Sequence, residues 1–464
     1  MDGHGPAHGE RLARIAGHFK PVEASGHGGV LQTGACSAGD SAGYERRNAS
    51  LDDVVIVAAL RTPMTKAKRG LLKDTTADEL LAAVLKAVVQ RTGVEPEAVG
   101  DIVIGSVLGP SSQRANECRI AAFFAGFPET VPIHTVNRQC SSGLQAVASV
   151  AAAIKSGYID IGIAGGVETM SLNPMKWEGG VNPRIQTMRE TASCLMPMGI
   201  TSENVAQRFG VTREQQDRFA VDSHRKAAAA QRAGKFKDEI VHVATKVKHP
   251  KTGDVVDVVV TEDDGIRADS STAMLSKLRP AFKEGGSTTA GNSSQVTDGA
   301  SAVLLMTRRE ALRRRLPVLG VFRSFAAVGV DPAVMGIGPA VAIPAALEKA
   351  GLTLEDIDVF ELNEAFASQA TYVMGKLGLD PMKVNPNGGA IALGHPLGNT
   401  GSRCTAALLH EMRRRGRAAR FGVVTMCIGS GMGAAAVFER GGEVDDLNVG
   451  PVAQQGHLSR DARV

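Results

Sequence analysis

Residues 131–170 read VPIHTVNRQCSSGLQAVASVAAAIKSGYIDIGIAGGVETM, a pattern of strand, cysteine, helix and strand. Ile133 to Val136 carries the β-branched content of a short strand. Leu144, Val147, Ala148, Ala151 and Ile154 repeat at helical spacing, and Ile159 to Ala164 reads as a second strand. Cys140 stands where the first strand turns into the helix, followed by Ser141, Ser142 and Gly143. A thiol there faces free backbone N–H groups and the positive end of the helix dipole, which favour its thiolate. The competing reading is a buried, inert cysteine, a common fate of free Cys. This segment alone leaves both open.

Outward from this unit the chain repeats itself. VVIVAAL (54–60) reads as a buried strand, residues 77–90 as an apolar-faced helix ending near Gly93, and DIVIGSV (101–107) as another strand. GVEPEAVGDIVI (93–104) recurs as GLTLEDIDVFEL (351–362), each after an alanine-rich helix. The unit around Cys140 has its counterpart in NPNGGAIALGHPLGNTGSRCTAALLHEM (385–412) followed by FGVVTM (421–426). Two βαβ halves in matching order predict an internally duplicated α/β protein, each sheet covered by helices on both faces. The halves are placed at 51–172 with 287–317, and at 318–440. Between them, residues 173–286 hold the sole Trp (Trp177), many charges and helical stretches at 202–209 and 213–233, the first capped by Thr201 or Ser202. That texture predicts an inserted, substrate-covering loop domain.

The ends differ from the middle. Residues 441–464 lose periodicity and read as a loose tail; residues 1–50 are rich in Gly, His and Ala and read as a flexible presequence. Inside it, RLARIAGHF, Arg11 to Phe19, resembles the amino-terminal type of peroxisomal targeting signal, an address read by an import receptor. By resemblance to plant-type precursors, removal after Cys36 is expected. A basic, acid-poor arm is also compatible with a mitochondrial presequence, the less favoured reading.

Composition narrows the rest. A formal charge of +4 over 464 residues gives no case for nucleic acid as a partner. Arg413, Arg414 and Arg415 close an apparent helix and read as a solvated face. The six cysteines (36, 118, 140, 194, 404, 427) form no CxxC pair and no metal-ligand spacing, so neither a metal site nor a disulfide scaffold is expected. Every apolar run is broken by Gly or charge, so no membrane span is expected.

Four further clusters carry potential chemistry: GHP (394–396), NEAF (363–366), CIGSGMG (427–433) and GGSTTAGNSSQVTDGA (285–300). Each has a bland reading alone. His395 could be a satisfied loop histidine, Cys427 a core residue, and Asn363 a turn residue that bonds backbone. GSGMG is followed by the strand-like AAAVFE where a nucleotide fingerprint needs a helix. Together, two cysteines, a histidine and an asparagine at strand ends of a duplicated α/β frame, the usual ligand edge, point to one site.

NRQCSSGLQAV, NEAFA, NPNGGAIALGHPLGNTGSR and CIGSGMGAA resemble, in order, the signature segments of the thiolases, over about residues 52–440. The resemblance implies a duplicated, five-layered α/β/α/β/α core with an inserted loop domain, assembled as dimers or tetramers, a homodimer being expected here. It implies that Cys140 is the nucleophile, His395 its base and one donor of an oxyanion site, Asn363 the holder of a water in that site, and Cys427 the second acid/base. The N–H groups of Cys140 and Gly429 would form the other oxyanion site, and Ser294 and Met198 would meet the pantetheine arm of coenzyme A. Splitting the C2–C3 bond of a 3-ketoacyl-CoA needs a soft nucleophile, donors for an enolate oxygen and a proton for its carbon, and these residues supply them. Coenzyme A is a substrate, and no metal or redox cofactor is called for.

Where the biosynthetic, acetoacetyl-forming branch has His before Met in the covering loop, this chain has Pro197. That departure, CIGSG in place of CIGGG, and the targeting motif favour the degradative branch. Acetoacetyl-CoA synthesis is the alternative within the class, and a non-catalytic acyl-CoA-binding protein the alternative outside it. Cys194, three residues before Pro197, is a candidate redox partner for Cys140; its bland reading is a small packing residue.

Overall fold

The structure, a computed structural model, describes residues 50–110, 113–176, 179–249 and 251–441. The expectations for residues 1–49, including Arg11 to Phe19 and Cys36, for Trp177 and for residues 442–464 lie outside the described residues.

Twelve strands follow in chain order: β1 (Val54–Arg61), β2 (Thr65–Lys66), β3 (Asp101–Gly105), β4 (Ile133–Val136), β5 (Ile161–Thr169), β6 (Val243–Lys248), β7 (Val255–Val260), β8 (Thr297–Thr307), β9 (Gly320–Gly329), β10 (Val359–Leu362), β11 (Phe421–Ile428) and β12 (Met432–Arg440). The first half runs β4-β3-β5-β8-β1, parallel from β4 to β5 and antiparallel beyond. The second runs β10-β11-β12-β9, parallel then antiparallel, with Val384 bridging Phe360 in parallel where β4 stands in the first. The two orders superpose strand for strand, so the duplication read from sequence is a duplication of topology. The halves join where β1 meets β9 over two residue pairs, Val55 with Val321 and Ile56 with Gly320.

The longer helices among the described residues are α1 (Ala77–Thr92), α2 (Gln113–Phe124), α3 (Ser142–Lys155), α4 (Met198–Phe209), α5 (Arg213–Arg232), α6 (Gly338–Lys349), α7 (Ala367–Leu377) and α8 (Thr400–Arg415). α1 and α2 cover one outer face, with Leu80, Leu81, Val84, Leu85 and Val88 in a core under the first sheet. α6 and α7 cover the opposite face with Ile343, Leu347 and Val373. α3 and α8 lie between the sheets, sharing a core of Leu144, Val147, Ala151, Leu408, Leu409 and Met412. These are five layers. α8 has no solvent face and is buried from Thr400 through Met412, while α3 leaves Gln145, Ser149, Ala152 and Ala153 half-buried; small residues dominate both.

Local differences from the sequence reading have physical causes. β5 begins at Ile161 and continues to Thr169, through glycines that the sequence reading treated as its end. A Cβ at Gly165 would stand 2.5 Å from the Ser301 carbonyl, and one at Gly166 2.3 Å from that of Gly398, so these positions admit only glycine. α4 starts at Met198 after Pro197, and Thr201 and Ser202 are inside it. Their hydroxyls are spent elsewhere: Thr201 donates to the Met198 carbonyl (2.7 Å), and Ser202 bonds Thr288 and Ser368 (2.8 and 2.7 Å). Arg413 and Arg414 are exposed and Arg415 is half-buried, and Arg414 and Arg415 also pair with Glu411 at 3.0 and 2.8 Å.

Residues of the 173–286 stretch are tied to the first half by a buried triad. Arg61, at the end of β1, bonds Glu239 at 2.7 Å and both oxygens of Asp263 at 2.7 and 2.9 Å.

Candidate active site

Cys140 sits on a turn of five residues between β4 and α3. Asn137 Oδ1 accepts the Gln139 N–H (2.9 Å), and Ser142 Oγ accepts the Arg138 N–H (2.9 Å) while donating to the Gln139 carbonyl (2.6 Å). Gln139 is held at φ +48°, left-handed backbone that a side-chain-bearing residue adopts only when its surroundings enforce it. Here it lets the strand pass directly into the helix with the cysteine at the corner.

The sequence reading expects a favoured thiolate. The structure reverses the net direction: burial pushes the half-buried Cys140 thiol above its ordinary value, and the nearby Glu168 carboxylate adds to this. Opposing them, the backbone N–H groups of Gly429 and of Cys140 itself pull it down. The donors expected from helix polarity are present, joined by one from the second half, but desolvation outweighs them.

His395 lies in the loop before α8 and is buried. Its N–H donates to the Gln295 carbonyl (2.9 Å), its Nδ1 bonds Thr400 Oγ1 (2.6 Å), and its Nε2 faces the Asn363 side-chain nitrogen at 3.4 Å. In the tautomer with its proton on Nδ1, Thr400 Oγ1 accepts that proton and Nε2 is the accepting nitrogen that faces the Asn363 amide. Burial, with the Arg403 charge acting in the same sense, pushes the imidazole down to about 3, so at neutral pH it is uncharged. Asn363 closes β10, where its own N–H donates to Thr425 (2.9 Å), and its buried Oδ1 has no protein donor among the described residues.

Cys427 belongs to β11, opposite Gly433 of β12, so the strand runs two residues past the point where the sequence reading stopped it. It is fully buried among Met335, Ala365 and Phe366, with Met198 against them. Burial pushes its thiol far up and Cys140 adds in the same direction, so Cys427 is a protonated thiol at rest. Gly429 is walled by Met198 and Gln139: a Cβ there would lie 3.6 Å from the Met198 sulfur and 3.9 Å from Gln139. Ser294 is half-buried, its N–H donating to Ala365 of NEAF (3.0 Å). Phe282 stacks over Gly199 and meets Phe366 edge to face, ring centroids 6.2 Å apart.

Cys194 is exposed, which removes the packing explanation for it, and its thiol donates to the Ser430 carbonyl at 3.8 Å. It therefore touches the loop that carries Gly429.

Several positions of consequence were passed over. Thr400 is inside a motif already quoted, and its place five residues after the histidine at a helix start is the signal that could have found it. Glu168 accepts N–H groups from Val107 and Leu108 in the first half and Gly398 in the second, each at 2.9 Å, fastening the His395 loop to the β3 end. Around it the halves touch without side chains between them. A Cβ at Gly143 would meet Ser402 N at 2.7 Å, one at Gly398 the Ser106 Cα at 2.5 Å, and one at Gly401 the Leu144 N at 2.1 Å. Close backbone approach of this kind is available only to glycine.

A half-buried thiol favoured as thiolate by two backbone N–H groups, an uncharged imidazole and a protonated second thiol make an arrangement suited to acyl transfer with proton movement. Residues 54–309 match the family description "Thiolase, N-terminal domain" and residues 316–440 "Thiolase, C-terminal domain". The chain belongs to the thiolase family. It is 64% identical over 457 residues to 3-ketoacyl-CoA thiolase 2, peroxisomal, of Arabidopsis thaliana, covering 98% of this chain and 99% of that one. With 3-ketoacyl-CoA thiolase B, peroxisomal, of Mus musculus it shares 57% over 431 residues, 92% and 99% of the two chains. The dimeric peroxisomal thiolase of Saccharomyces cerevisiae is similar in structure, with a TM-score of 0.78 at 45% identity, over 85% of this chain and 99% of that one. The duplicated thiolase fold expected from the four motifs is the fold found. No helix of the described residues is long and apolar enough to cross a membrane.

Proposed function

We propose that this thiolase cleaves 3-ketoacyl-CoA with coenzyme A, giving acetyl-CoA and a chain-shortened acyl-CoA, the last step of fatty-acid β-oxidation. The observation that carries the reading is that Cys140 stands at a strand-to-helix corner where its own N–H and that of Gly429 favour its thiolate, while His395, in the loop that Glu168 fastens to the first half, is uncharged. His395 Nε2 takes the thiol proton and the thiolate attacks C3. The C2–C3 bond breaks with its electron pair leaving as the acetyl-CoA enolate. The enolate oxygen is held by the His395 Nε2–H and by a water on Asn363, whose Oδ1 is otherwise without a donor. Cys427, a thiol at rest, protonates C2 and is then the thiolate that deprotonates incoming coenzyme A. The second attack passes through an oxyanion held by the N–H groups of Cys140 and Gly429, releasing acyl-CoA and returning the proton from His395 to Cys140. Ser294 and Met198 flank the approach of the pantetheine arm. Loss of 3-ketoacyl-CoA enolate absorbance on adding coenzyme A tests this across chain lengths. Cleavage of acetoacetyl-CoA alone would favour the biosynthetic alternative, and binding without cleavage the acyl-CoA-binding one.

The relatives named peroxisomal support the peroxisome as the location. Import through Arg11 to Phe19, followed by removal of the presequence, predicts that changing Arg11 and His18 together leaves a fused reporter in the cytosol; mitochondrial accumulation of the unaltered fusion would reverse the assignment. A homodimer is supported by the dimeric yeast relative. It also fits β4, a sheet-edge strand among the described residues, and the neighbouring exposed Ile120, Phe123 and Phe124 of α2. Sedimentation at twice 48.4 kDa is expected, before presequence removal.

An oxidised Cys140 could be closed by Cys194, which already reaches the Ser430 carbonyl. Mild peroxide is expected to inactivate reversibly by dithiothreitol, with a Cys140–Cys194 peptide in the mass spectrum. A Cys194→Ser protein rescued like the parent would remove the switch.

A further inference from the structure

Glu168, one residue from the end of β5, is fully buried, and its carboxylate meets four donors drawn from both halves of the molecule. Oε1 accepts the Leu108 N–H at 2.9 Å and the Ser106 hydroxyl at 3.3 Å. Oε2 accepts the Val107 and Gly398 N–H groups, both at 2.9 Å. An ionised carboxylate is an acceptor only and has room for about four such bonds, so each place is filled. An amide of the same shape cannot replace it without loss, because whichever way it turns its NH2 is set against at least one backbone N–H.

Printed contacts of backbone and side chain lead from this carboxylate to both reacting groups. In the first half, Ser106 donates its N–H to the Val136 carbonyl (3.2 Å) at the end of β4, the strand that turns into Cys140. The β3 end also abuts the start of α3: a Cβ at Gly105 would stand 2.4 Å from the Gly143 nitrogen. In the second half, Gly398 follows His395 within a turn closed by the Asn399 N–H on the Pro396 carbonyl (2.7 Å). Thr400, whose hydroxyl bonds the imidazole at 2.6 Å, ends that turn. We propose that Glu168 is a positioning residue for acyl transfer, a single carboxylate that sets the Cys140 corner and the His395 loop at a fixed separation. The proposal rests on the reading of His395 as the base for Cys140. The clasp is kept at an electrostatic cost, since the same carboxylate opposes the Cys140 thiolate. Charge and position therefore act in opposite senses, and experiment can separate them.

Glutamate, glutamine and methionine have about the same volume but offer roughly four, two and no acceptor places. If Glu168 only filled space, Glu168→Gln and Glu168→Met would turn over like the parent. If only its charge mattered, both variants would ionise Cys140 more readily and acylate it faster. A clasp predicts that kcat falls about tenfold in Glu168→Gln and about 10²-fold in Glu168→Met, the scale of a small misplacement of reacting groups, with KM changed less than about threefold. Burst-phase acylation of Cys140 should fall with kcat in both. Amide hydrogen exchange, read by mass spectrometry on the folded proteins, should quicken in residues 105–108 and 396–400 together. Glu168→Gln decides by the same measures if the methionine variant does not fold. A folded variant with the parent's kcat, one that acylates faster, or one with lowered kcat but the parent's exchange in both segments overturns the proposal. A His395→Gln enzyme that acylates Cys140 at the parent's rate would instead overturn the reading of the base, while the exchange result still decides whether Glu168 holds the two segments.

Discussion

With alanine at position 140, thiolysis falls by at least about 10⁴-fold and no acyl group is retained on the protein after incubation with acyl-CoA, the scale of loss expected when a covalent nucleophile is removed. The neighbouring thiol cannot substitute. Cys427 is fully buried, held as a protonated thiol, and shares no pair of converging N–H groups. Stability should change little, by about 1 kcal/mol, because Cys140 is only half-buried and the turn is held by Asn137, Ser141 and Ser142 rather than by its own side chain. Steady-state thiolysis and intact-protein mass after acyl-CoA treatment measure the two losses. Substantial turnover in a folded Cys140→Ala protein would move the nucleophile elsewhere.

Cys427→Ala should separate two steps that Cys140→Ala abolishes together. Acylation of Cys140 from a reactive acyl-CoA needs His395, whose bonds to Thr400, Gln295 and Asn363 do not involve Cys427. Carbon–carbon cleavage needs a proton for C2, so it should drop by the ~10²–10⁴-fold typical of a lost general acid. Burst-phase acylation and steady-state cleavage, measured on the same preparation, give the ratio. An equal fall in both would show that Cys427 acts on Cys140 itself.

The frame of the molecule was legible because it is periodic. All five apolar positions picked out after Cys140 are buried in α3, and β4 runs over the four residues expected of it. The strand-end location of Cys140, Asn363 and Cys427 could be read because glycine-rich loops interrupt strong patterns there, whereas His395, expected at a strand end as well, lies in a loop between helices. Other features left no such mark. The sign of the Cys140 shift depends on how much chain folds over the sulfur, a tertiary quantity on which helix polarity is silent. Gln139 looks like any polar residue until its backbone is seen to be left-handed. Glu168 sits in a segment that reads as ordinary strand, and its importance comes from partners contributed by distant parts of the chain. Residues Thr201 and Ser202 show the opposite failure: a local capping signal was present, but both hydroxyls had tertiary or intrahelical uses.

The glycine contacts between the halves divide the enzyme into an anvil and a cover. At Gly143, Gly398 and Gly401 backbone lies against backbone or β-carbon, and Glu168 bonds both sides at once, so the walls carrying Cys140 and His395 have no slack between them. With residues 173–286 read as the substrate-covering segment, acyl chains of different length are expected to be accommodated from that side. Selectivity for chain length can then drift by substitutions in the cover while the reacting groups stay in register. A family built this way can diversify its substrates without renegotiating its chemistry.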